Sequence, residues 1–469
     1  MEHKKLVAIE IGSSKIVGAV GAIDETGTLK VSAIEERTLV DCVRYGWIQN
    51  VEGVKAAVAD IITAFEERVN IAPSKVKGVY VALGGRSMMS YKREIEQVFD
   101  SEIEITNEVI KQLDGDIRLE ELEDKEIVDA VPVKYAVNNL TQQKPIGIYG
   151  NHIKASYNII ACRPQIKKNI DRVIEERLQL DTNGYIVRQK ALAQLVLSDD
   201  DTKLGCVLVD LGAETTTISI HKSGALQYMV TLPMGSRNIT RDLSSLGITE
   251  EVAERLKCQY GNANSQETIG QGGQSSIIEG VDDSVFHNIV QHRAGEIAFN
   301  IATQITQAGF KSTDLASGGI VVVGQGAKLQ GFSQLLEFHT SLKVRNGIIA
   351  TPIHITDGSI QPGNALDVIA ILLAASKKED VVNCIEGQSQ PLPESEVVIG
   401  YGIPQVEDEK DEEVEEQEEE ENTEDIPAIE EPKSTGPSTM QKMSQHLKKM
   451  LKTAQDNVAE YLREDGYEK

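Results

Sequence analysis

Several features of secreted, membrane-spanning or nucleic-acid-binding proteins are missing from this sequence. The 469 residues contain five cysteines, and neither their number nor their spacing fits a disulfide framework or a zinc site. The longest apolar run, VIAILLAA at residues 368–375, is far shorter than the ~20 residues needed to span a bilayer. The net charge of −26 gives no support for nucleic-acid binding. We therefore expect a soluble protein with reduced thiols, whose contact with a membrane would be peripheral.

Most of the negative charge lies in one segment. Residues 407–431 hold 16 acidic residues and one lysine, whereas the remainder of the chain is only mildly acidic. Dense like charge with few apolar residues predicts disorder. We predict a disordered acidic linker at residues 386–437, which as a flexible coil would span on the order of 40 Å.

An internal repeat is the main signal in the remainder of the chain. VAIEIGSSKIVGAV at residues 7–20 aligns without gaps with VLVDLGAETTTISI at residues 207–220, and Glu10 falls on Asp210. Each copy has an apolar strand, an acid, a glycine turn and a second strand, and each is followed by a third strand. Later a helical pattern leads into a further strand in both halves. The repeat predicts two copies of an α/β unit that face each other across a cleft.

The two glycine turns differ from other phosphate-binding loops. The pattern GxxxxGK[ST] is absent, and a dinucleotide-binding turn would open a helix, whereas each turn here opens a strand. Backbone N–H groups in such turns can bind phosphate from both sides of a cleft. Glu10 and Asp210 could hold a hydrated Mg²⁺ through water, and Lys15 could reach the β- and γ-phosphates. The pattern therefore predicts a phosphate clamp between two lobes.

This arrangement resembles the actin/Hsp70/sugar-kinase superfamily, which implies ATP as the ligand. Residues 7–15 then correspond to the phosphate-1 motif, residues 207–217 to phosphate-2, and residues 320–332 (IVVVGQGAKLQGF) to the adenosine motif. Glu254 and Lys257, in AERLK, either contact the ribose and base or form a surface ion pair. The implied nucleotide-binding residues are Glu10, Gly12, Ser13, Ser14, Lys15, Asp210, Gly212, Thr215, Thr216, Gly235, Glu254, Lys257, Gly324, Gln325, Gly326 and Ala327.

Two longer stretches resemble the FtsA family of bacterial division proteins. Residues 232–263 resemble its P.GG..IT.D......AE.LK..YG pattern, and residues 130–155 its P..Y.VD....PIG..G..L.A pattern. The resemblance implies a cytoplasmic, ATP-binding, actin-like protein that polymerises under the membrane and tethers the tubulin-like protein FtsZ to it. Arg293 and Glu296 match the helix that receives the FtsZ C-terminal peptide, although a solvated arginine is an equal alternative.

The implied fold is α/β, with two duplicated actin-like (ribonuclease-H-like) lobes around a nucleotide cleft and an inserted 1C subdomain that contacts other division proteins. The predicted segments are 1–84 (subdomain 1A), 85–161 (1C, SHS2-like), 162–200 (1A), 201–228 (2A), 229–312 (2B), 313–360 (2A), 361–385 (the 1A return helix), 386–437 (acidic linker) and 438–465 (C-terminal amphipathic helix).

Several residues depart from the superfamily pattern. Ala213 and Glu214 replace glycines in the phosphate-2 turn, and Gln325 stands where a glycine is common. Gly235 and Ser236 replace a glycine pair, and residues 365–373 lack the usual tyrosine. An additional carboxylate repels phosphate unless it points away or meets the metal. No residue is recognisable as one that polarises an attacking water, so we expect at most a weak ATPase.

The C-terminal segment has apolar residues at helical spacing and a basic first half. An isolated helix of this length needs a surface on which to bury its apolar stripe. A basic amphipathic helix after a linker favours a membrane-surface anchor, while docking on a protein or pairing with a second copy is the alternative. The predicted membrane-contacting residues are Met440, Met443, Leu447, Lys448, Met450, Leu451 and Lys452.

The predicted partners are the FtsZ C-terminal peptide, further copies of the chain in filaments, later division proteins and an anionic membrane surface. The predicted location is the cytoplasmic face of the membrane at the division septum. The alternative function is a small-molecule phosphotransferase of the sugar-kinase type, which would need a catalytic base in the cleft. An Hsp70-like chaperone would need a β-rich domain, which the polar tail cannot form.

Overall fold

The structure, a computed structural model, describes residues 4–24, 27–69, 71–264, 277–278, 280–358, 361–386 and 398–399. In chain order its strands are β1 Lys5–Ile11, β2 Lys15–Ile23, β3 Leu29–Thr38, β4 Val43–Arg44, β5 Trp47–Ile48, β6 Gly78–Leu83, β7 Met89–Glu104, β8 Glu126–Val137, β9 Leu140–Gln142, β10 Tyr149–Cys162, β11 Asp181–Val187, β12 Cys206–Leu211, β13 Thr216–Lys222, β14 Ala225–Leu232, β15 Ile277–Ile278, β16 Val281–Asp282, β17 Ile320–Val323, β18 Val344–Asn346, β19 His354–Ile355 and β20 Val398–Ile399. Its α-helices are α1 Val51–Arg68, α2 Asn107–Arg118, α3 Pro164–Asp171, α4 Arg188–Val196, α5 Asp199–Leu204, α6 Ser236–Ser244, α7 Glu250–Tyr260, α8 Asp283–Gln307, α9 Ser312–Leu315, α10 Phe332–Thr340 and α11 Leu366–Ser376. A π-helical turn covers Arg172–Arg177, and 3₁₀ turns cover Gln325–Lys328 and Pro362–Asn364.

Two sheets repeat one strand order. The sheet of lobe 1 runs β11-β6-β1-β2-β3, and the sheet of lobe 2 runs β18-β17-β12-β13-β14. In both, three consecutive strands form an antiparallel meander, one later strand pairs in parallel with its first strand, and a second pairs in parallel with that later strand. Glu10 pairs with Val17 and Asp210 with Thr217, so both acids occupy the same register. The predicted duplication and α/β fold class are therefore confirmed.

Residues 6–9 of β1 and 206–209 of β12, which precede the two acids, are apolar, as expected for strands with both faces buried. In lobe 1, α1 and α11 pack on the sheet, and Phe65 and Ile369 are fully buried in that core. In lobe 2, α8 buries Phe286 and Ile297 in a separate core. The helix-then-strand pattern in each half is thus confirmed, as α1 leads into β6 and α8 leads, through the short α9, into β17.

The inserted subdomain has a core of its own. Its strands are ordered β7-β10-β8-β9, and α2 covers them with Leu113 and Ile117. Although the segment is inserted in the chain of lobe 1, β7 pairs with β14 at Met89 and Val230, which joins its sheet to that of lobe 2. The Ser90 hydroxyl oxygen accepts a hydrogen bond from the Met229 backbone N–H at 2.8 Å. The subdomain therefore contacts both lobes, which the sequence did not predict.

The beginning of the predicted linker contains a strand. Residues 398–399 form β20, which pairs antiparallel with β19, so predicting disorder from residue 386 onwards was wrong for these two residues. An apolar run, VVIG, precedes the acidic segment and supplies the β-forming residues. Most of the linker, including its acidic run, and the predicted C-terminal helix lie outside the described residues. Among the described helices, none is long and apolar enough to cross a membrane.

Candidate nucleotide cleft

The two repeated turns have the same hydrogen bonding. The Gly12 N–H donates to the Lys15 carbonyl at 3.0 Å, and the Gly212 N–H donates to the Thr215 carbonyl at 2.9 Å. A Cβ at Gly12 would lie 2.8 Å from the Lys15 carbonyl oxygen, which explains why the first turn needs a glycine. The Thr216 hydroxyl donates to the Met234 carbonyl and points away from the turn.

One cleft brings most of the predicted nucleotide-binding residues together. Those that line it are Glu10, Gly12, Ser13, Ser14, Lys15, Asp210, Gly212, Thr215, Glu254, Gly324 and Gln325. The predicted residues that do not line it are Thr216, Gly235, Lys257, Gly326 and Ala327. Further lining residues that the sequence did not single out include Gly46, Gly84, Gly85, Arg188, Arg237 and Asp367. The residues of both turns therefore line a single space, as the repeat predicts.

Arg188 links the two repeated acids. It is the first residue of α4, directly after β11, and its Nη1 lies 2.8 Å from Glu10 Oε1 while its Nη2 lies 2.7 Å from Asp210 Oδ2. Asp367, in the first turn of α11, adds a third carboxylate with Oδ1 3.8 Å from Arg188 Nε. The guanidinium is only 13% exposed. One buried cation is thus shared by three carboxylates, two from lobe 1 and one from lobe 2.

The pKa values of this cluster follow from burial and mutual charge. Burial raises the pKa of Glu10 against the opposing effect of the Arg188 charge. Burial alone would lower the pKa of Arg188, but the carboxylates of Asp210, Asp367 and Glu10 raise it. Burial, together with the charge of Asp210, raises the pKa of Asp367 to about 8. At neutral pH the cluster therefore holds Asp367 protonated beside a permanent guanidinium.

A magnesium ion between Glu10 and Asp210 does not fit this arrangement. Arg188 already contacts both carboxylates, and Oδ2 of Asp210 and Oδ1 of Asp367 are enclosed by the protein. Mg²⁺ keeps several of its waters when it binds to protein, so it needs open space next to its carboxylates. Among the described residues, no group of three or more His, Cys, Asp or Glu side chains is arranged to hold a metal ion.

Replacing Asp367 with asparagine should flatten the pH dependence of stability. The folded pKa of about 8 lies above the ordinary 3.8, so the stability from this group is full below pH 3.8 and is lost as the pH rises to 8. The asparagine amide does not titrate, so the variant would show no such loss. In urea unfolding followed by circular dichroism, Asp367→Asn should exceed the parent in stability by much more at pH 9 than at pH 5. An equal difference at both pH values would contradict the prediction.

Glu214, one of the residues that depart from the superfamily pattern, lines the cleft, but its carboxylate is already paired and bridges the lobes. It is 1% exposed, and its Oε2 accepts a hydrogen bond from the Tyr45 backbone N–H of lobe 1 at 2.7 Å. Its Oε1 pairs with Arg241 and lies 3.9 Å from Arg237 Nη1, both on α6. The repulsion that an additional carboxylate would cause is therefore offset by two arginines.

Replacing Glu214 with glutamine should destabilise the closed arrangement of the lobes. The neutral amide would leave Arg241 without its buried counter-charge, and hydrogen bonds to charged groups are worth about 1.5–3 kcal/mol each. We expect a loss of about 2–3 kcal/mol in urea unfolding. Glu250→Gln is the matched control, because Glu250 pairs with the same Arg237 but is 46% exposed. Equal losses in both variants would contradict the prediction.

The cleft mouth contains two lysines that converge on Asn364. Lys15 Nζ pairs with Glu36 at 2.7 Å and lies 3.5 Å from the Asn364 carbonyl, while Lys328 Nζ donates to the Asn364 side chain. The Gln325 amide also donates to the Asn364 carbonyl, at 3.4 Å. Lys15 is therefore held towards Glu36, although it still lines the cleft.

The glycines of the adenosine motif pack against β12. Gly324 has φ +88°, and a Cβ there would lie 2.4 Å from the Leu211 carbonyl oxygen and 2.8 Å from Asp210 Oδ1. A Cβ at Gly326 would lie 2.7 Å from Leu211 Cγ. The sequence interpretation was that both glycines let the base and ribose approach the backbone. In the structure, their lack of a side chain allows the loop to pack closely against β12.

The Glu254–Lys257 ion pair is buried at its lysine and half-exposed at its glutamate. Lys257 is 6% exposed, and its Nζ lies 2.7 Å from Glu254, 3.0 Å from the Thr240 hydroxyl and 3.3 Å from the Ser236 carbonyl. The charge of Lys257 lowers the pKa of Glu254 against the effect of burial. Glu254 lines the cleft, whereas Lys257 ties α7 to α6 beneath it.

Arg293 of the predicted peptide site is already paired. Its Nε lies 2.6 Å from Asp242 Oδ2, and its Nη1 lies 2.5 Å from Glu296 Oε2. The side chain is 29% exposed, so it is neither buried nor simply solvated. An acidic peptide would have to compete with these two acids for the guanidinium.

Comparisons with known proteins identify related sequences and a related fold. A family profile described as "Cell division protein FtsA" matches residues 207–365, and one described as "SHS2 domain inserted in FTSA" matches residues 85–161. The FtsA of Porphyromonas gingivalis is 28% identical over 367 residues, 77% of this chain and 74% of that protein. The FtsA of Pseudomonas aeruginosa is 24% identical over 388 residues, 80% of this chain and 91% of that protein. A solved structure of a PilM–PilN type IV pilus biogenesis complex superposes with a TM-score of 0.53 at 14% identity, covering 79% of this chain and 97% of that chain.

Duplicated lobes with matching acids at a shared cleft, and a separate sheet inserted in lobe 1, define an actin-like protein in which an SHS2 subdomain is inserted. The two profiles together match about half of the chain. The chain belongs to the FtsA family of cell division proteins.

Proposed function

We propose that this chain is an ATP-binding, actin-like division protein that polymerises on the cytoplasmic face of the membrane and anchors FtsZ there, at the division septum. The observation that carries the nucleotide part is the pair of glycine turns, whose residues line one cleft beside Glu10 and Asp210. Backbone N–H groups of such turns attract phosphate without metal ligands of their own. Because Arg188 spans the two acids, the turns would bind the phosphates without a metal ion held by Glu10 and Asp210.

The carboxylates of the cleft support a binding role over a phosphotransferase. Five acids line it in the described residues, and each lies within 4 Å of an arginine or lysine nitrogen. A carboxylate that is held by a cation is a poor general base. The sugar-kinase alternative, which needs such a base, therefore has no support in the cleft, and turnover should be weak at most.

Membrane attachment rests on the C-terminal segment. The lysines and the apolar stripe of residues 440–454 suit an anionic bilayer surface, with a contribution of about 1 kcal/mol per lysine near it. Further division proteins would bind the inserted subdomain, whose exposed apolar side chains include Leu119, Leu140 and Tyr149. The linker would separate this folded body from the membrane.

The test combines membrane, nucleotide and polymer in one measurement. The full chain should pellet with anionic phospholipid vesicles, and ATP should increase pelleting and produce filaments on the vesicles in electron micrographs. No pelleting with or without ATP would overturn the membrane role, and vesicle binding without filaments would overturn polymerisation. ATP turnover that a small hydroxylated substrate stimulates would favour the phosphotransferase instead.

Reversal of Arg293 should weaken binding of the FtsZ C-terminal peptide. If the guanidinium receives an acidic peptide, Arg293→Glu should reduce affinity by roughly tenfold or more, measured by fluorescence anisotropy of the labelled peptide. Because Arg293 also ties α8 to α6 through Asp242, the melting temperature of each variant should be measured in parallel. Asp242→Asn breaks the same tie while leaving the guanidinium in place. Equal weakening in both variants would assign Arg293 a structural role only.

A further inference from the structure

Arg188 stands where the two lobes bring their matching acids together. Glu10 and Asp210 are 5% and 2% exposed, and each contributes an oxygen within 2.8 Å of the guanidinium. Buried carboxylates are costly without a counter-charge, and a divalent metal ion is one common way of providing it. Here an arginine from the chain itself provides it, and arginine keeps its charge at any physiological pH.

Two carboxylate oxygens beside Arg188 are not open to a hydrated metal ion. Oδ2 of Asp210 faces Nη2 of the guanidinium and is enclosed, and Oδ1 of Asp367 is also enclosed. The guanidinium divides its nitrogens among acids of both lobes, with Nη1 on Glu10, Nη2 on Asp210 and Nε towards Asp367. Three carboxyl groups thus surround the guanidinium of Arg188 and hold it in place.

We propose that the guanidinium of Arg188 is a built-in cation that replaces a divalent metal ion in this cleft, so that a nucleoside triphosphate binds here without one. The inference rests on the proposed nucleotide-binding function. Arg188 holds the acids of the two lobes together in the empty and the loaded cleft alike. The phosphates then bind to nitrogen donors, which are the backbone N–H groups of both turns and the ammonium group of Lys15.

The first experiment measures ATP binding by the full chain in Mg²⁺ and in EDTA, using a fluorescent ATP analogue and competition by ATP. The parent should bind with affinities that differ by less than about fivefold. Arg188→Gln frees the acids for a metal, so its affinity should fall by more than about fivefold when Mg²⁺ is replaced by EDTA. A larger fall for the parent, or no dependence on Mg²⁺ in the variant, would overturn the proposal. Arg345→Gln removes an arginine that pairs with Asp201 at the surface, and should behave as the parent does.

The experiment distinguishes failure of the proposed nucleotide binding from failure of the proposed role of Arg188. No binding of ATP in either buffer overturns the proposed function, whereas binding only with Mg²⁺ overturns the role of Arg188 alone. A second measurement needs neither nucleotide nor variant: MgCl₂ should raise the melting temperature of the parent no more than KCl of equal ionic strength. A specific rise with MgCl₂ would show a metal site in the empty cleft and overturn the proposal.

Discussion

Arg188→Ala is expected to destabilise the folded chain by about 3–5 kcal/mol, the usual cost of removing one partner from a buried ion pair. The alanine would leave the carboxylates of Glu10 and Asp210, beside the mostly protonated Asp367, without their shared cation. Two of these acids belong to lobe 1 and the third to lobe 2, so the loss should appear as opening of the cleft as well as lower stability. Urea unfolding followed by circular dichroism measures the change at pH 7.5.

The pH dependence of the stability loss in Arg188→Ala distinguishes uncompensated buried charge from simple loss of packing. With Arg188 removed, burial raises the folded pKa values of the acids, so the deficit relative to the parent should shrink as the pH falls and the acids become protonated. A deficit that is independent of pH would indicate lost packing instead. Arg345→Ala, at a half-exposed ion pair with Asp201, should cost no more than about 1 kcal/mol. If Arg188→Ala were equally mild, the buried cluster would not stabilise the lobes.

The duplicated fold could be predicted because its signal is local and repeated. The strand, acid, glycine turn and second strand occur twice in the same register, and the structure places Glu10 and Asp210 at matching ends of β1 and β12. The glycines were predictable for the same reason, since each turn closes through an N–H to a carbonyl three residues on. Hydrophobic periodicity and turn-forming residues are features of a few neighbouring residues, so they can be recognised directly in the sequence.

The cation of the cleft could not be predicted in this way. Arg188 lies 178 residues from Glu10, and it has no counterpart in the repeat that would draw attention to it. Locally, Arg188 is only a charged residue that directly follows the end of a strand, GYIV. A charged residue in that position ordinarily indicates the start of a helix. Which charges meet across a cleft depends on long-range packing, so the sequence suggested a metal ion where the fold supplies a guanidinium.

Glu214 shows how a departure from a family pattern can be interpreted. Its replacement of a glycine suggested repulsion of phosphate, yet the side chain turns to Tyr45 and the arginines of α6. Together with the Arg188 cluster, it gives the two lobes charged contacts on both sides of the cleft. Nucleotide-dependent opening in this chain would therefore have to break buried ion pairs, which favours slow exchange between states over rapid turnover.

The largest functional effect is expected at the C-terminal segment, when Met443, Leu447 and Leu451 are each replaced with glutamate. On a helix these three residues share one face, and full burial of such side chains is worth about 1.5–3 kcal/mol each. The variant loses the partial burial of these side chains at the bilayer surface, and its glutamates are repelled by anionic lipid. Together these effects should reduce vesicle binding by roughly a hundredfold or more. Co-sedimentation with vesicles of anionic and zwitterionic phospholipid measures the partition coefficient.

The matched control introduces the same charge away from the apolar face. Gln441, Gln445 and Thr453 lie on the polar side of the same predicted helix, so their replacement with glutamate changes net charge equally without removing the apolar stripe. If insertion of the apolar stripe drives attachment, the control should lose only the electrostatic part, and added salt should diminish its difference from the parent. Equal loss in both variants would mean that charge alone holds the chain at the surface. Unchanged binding of the first variant would instead indicate that the stripe docks on a protein or on a second copy.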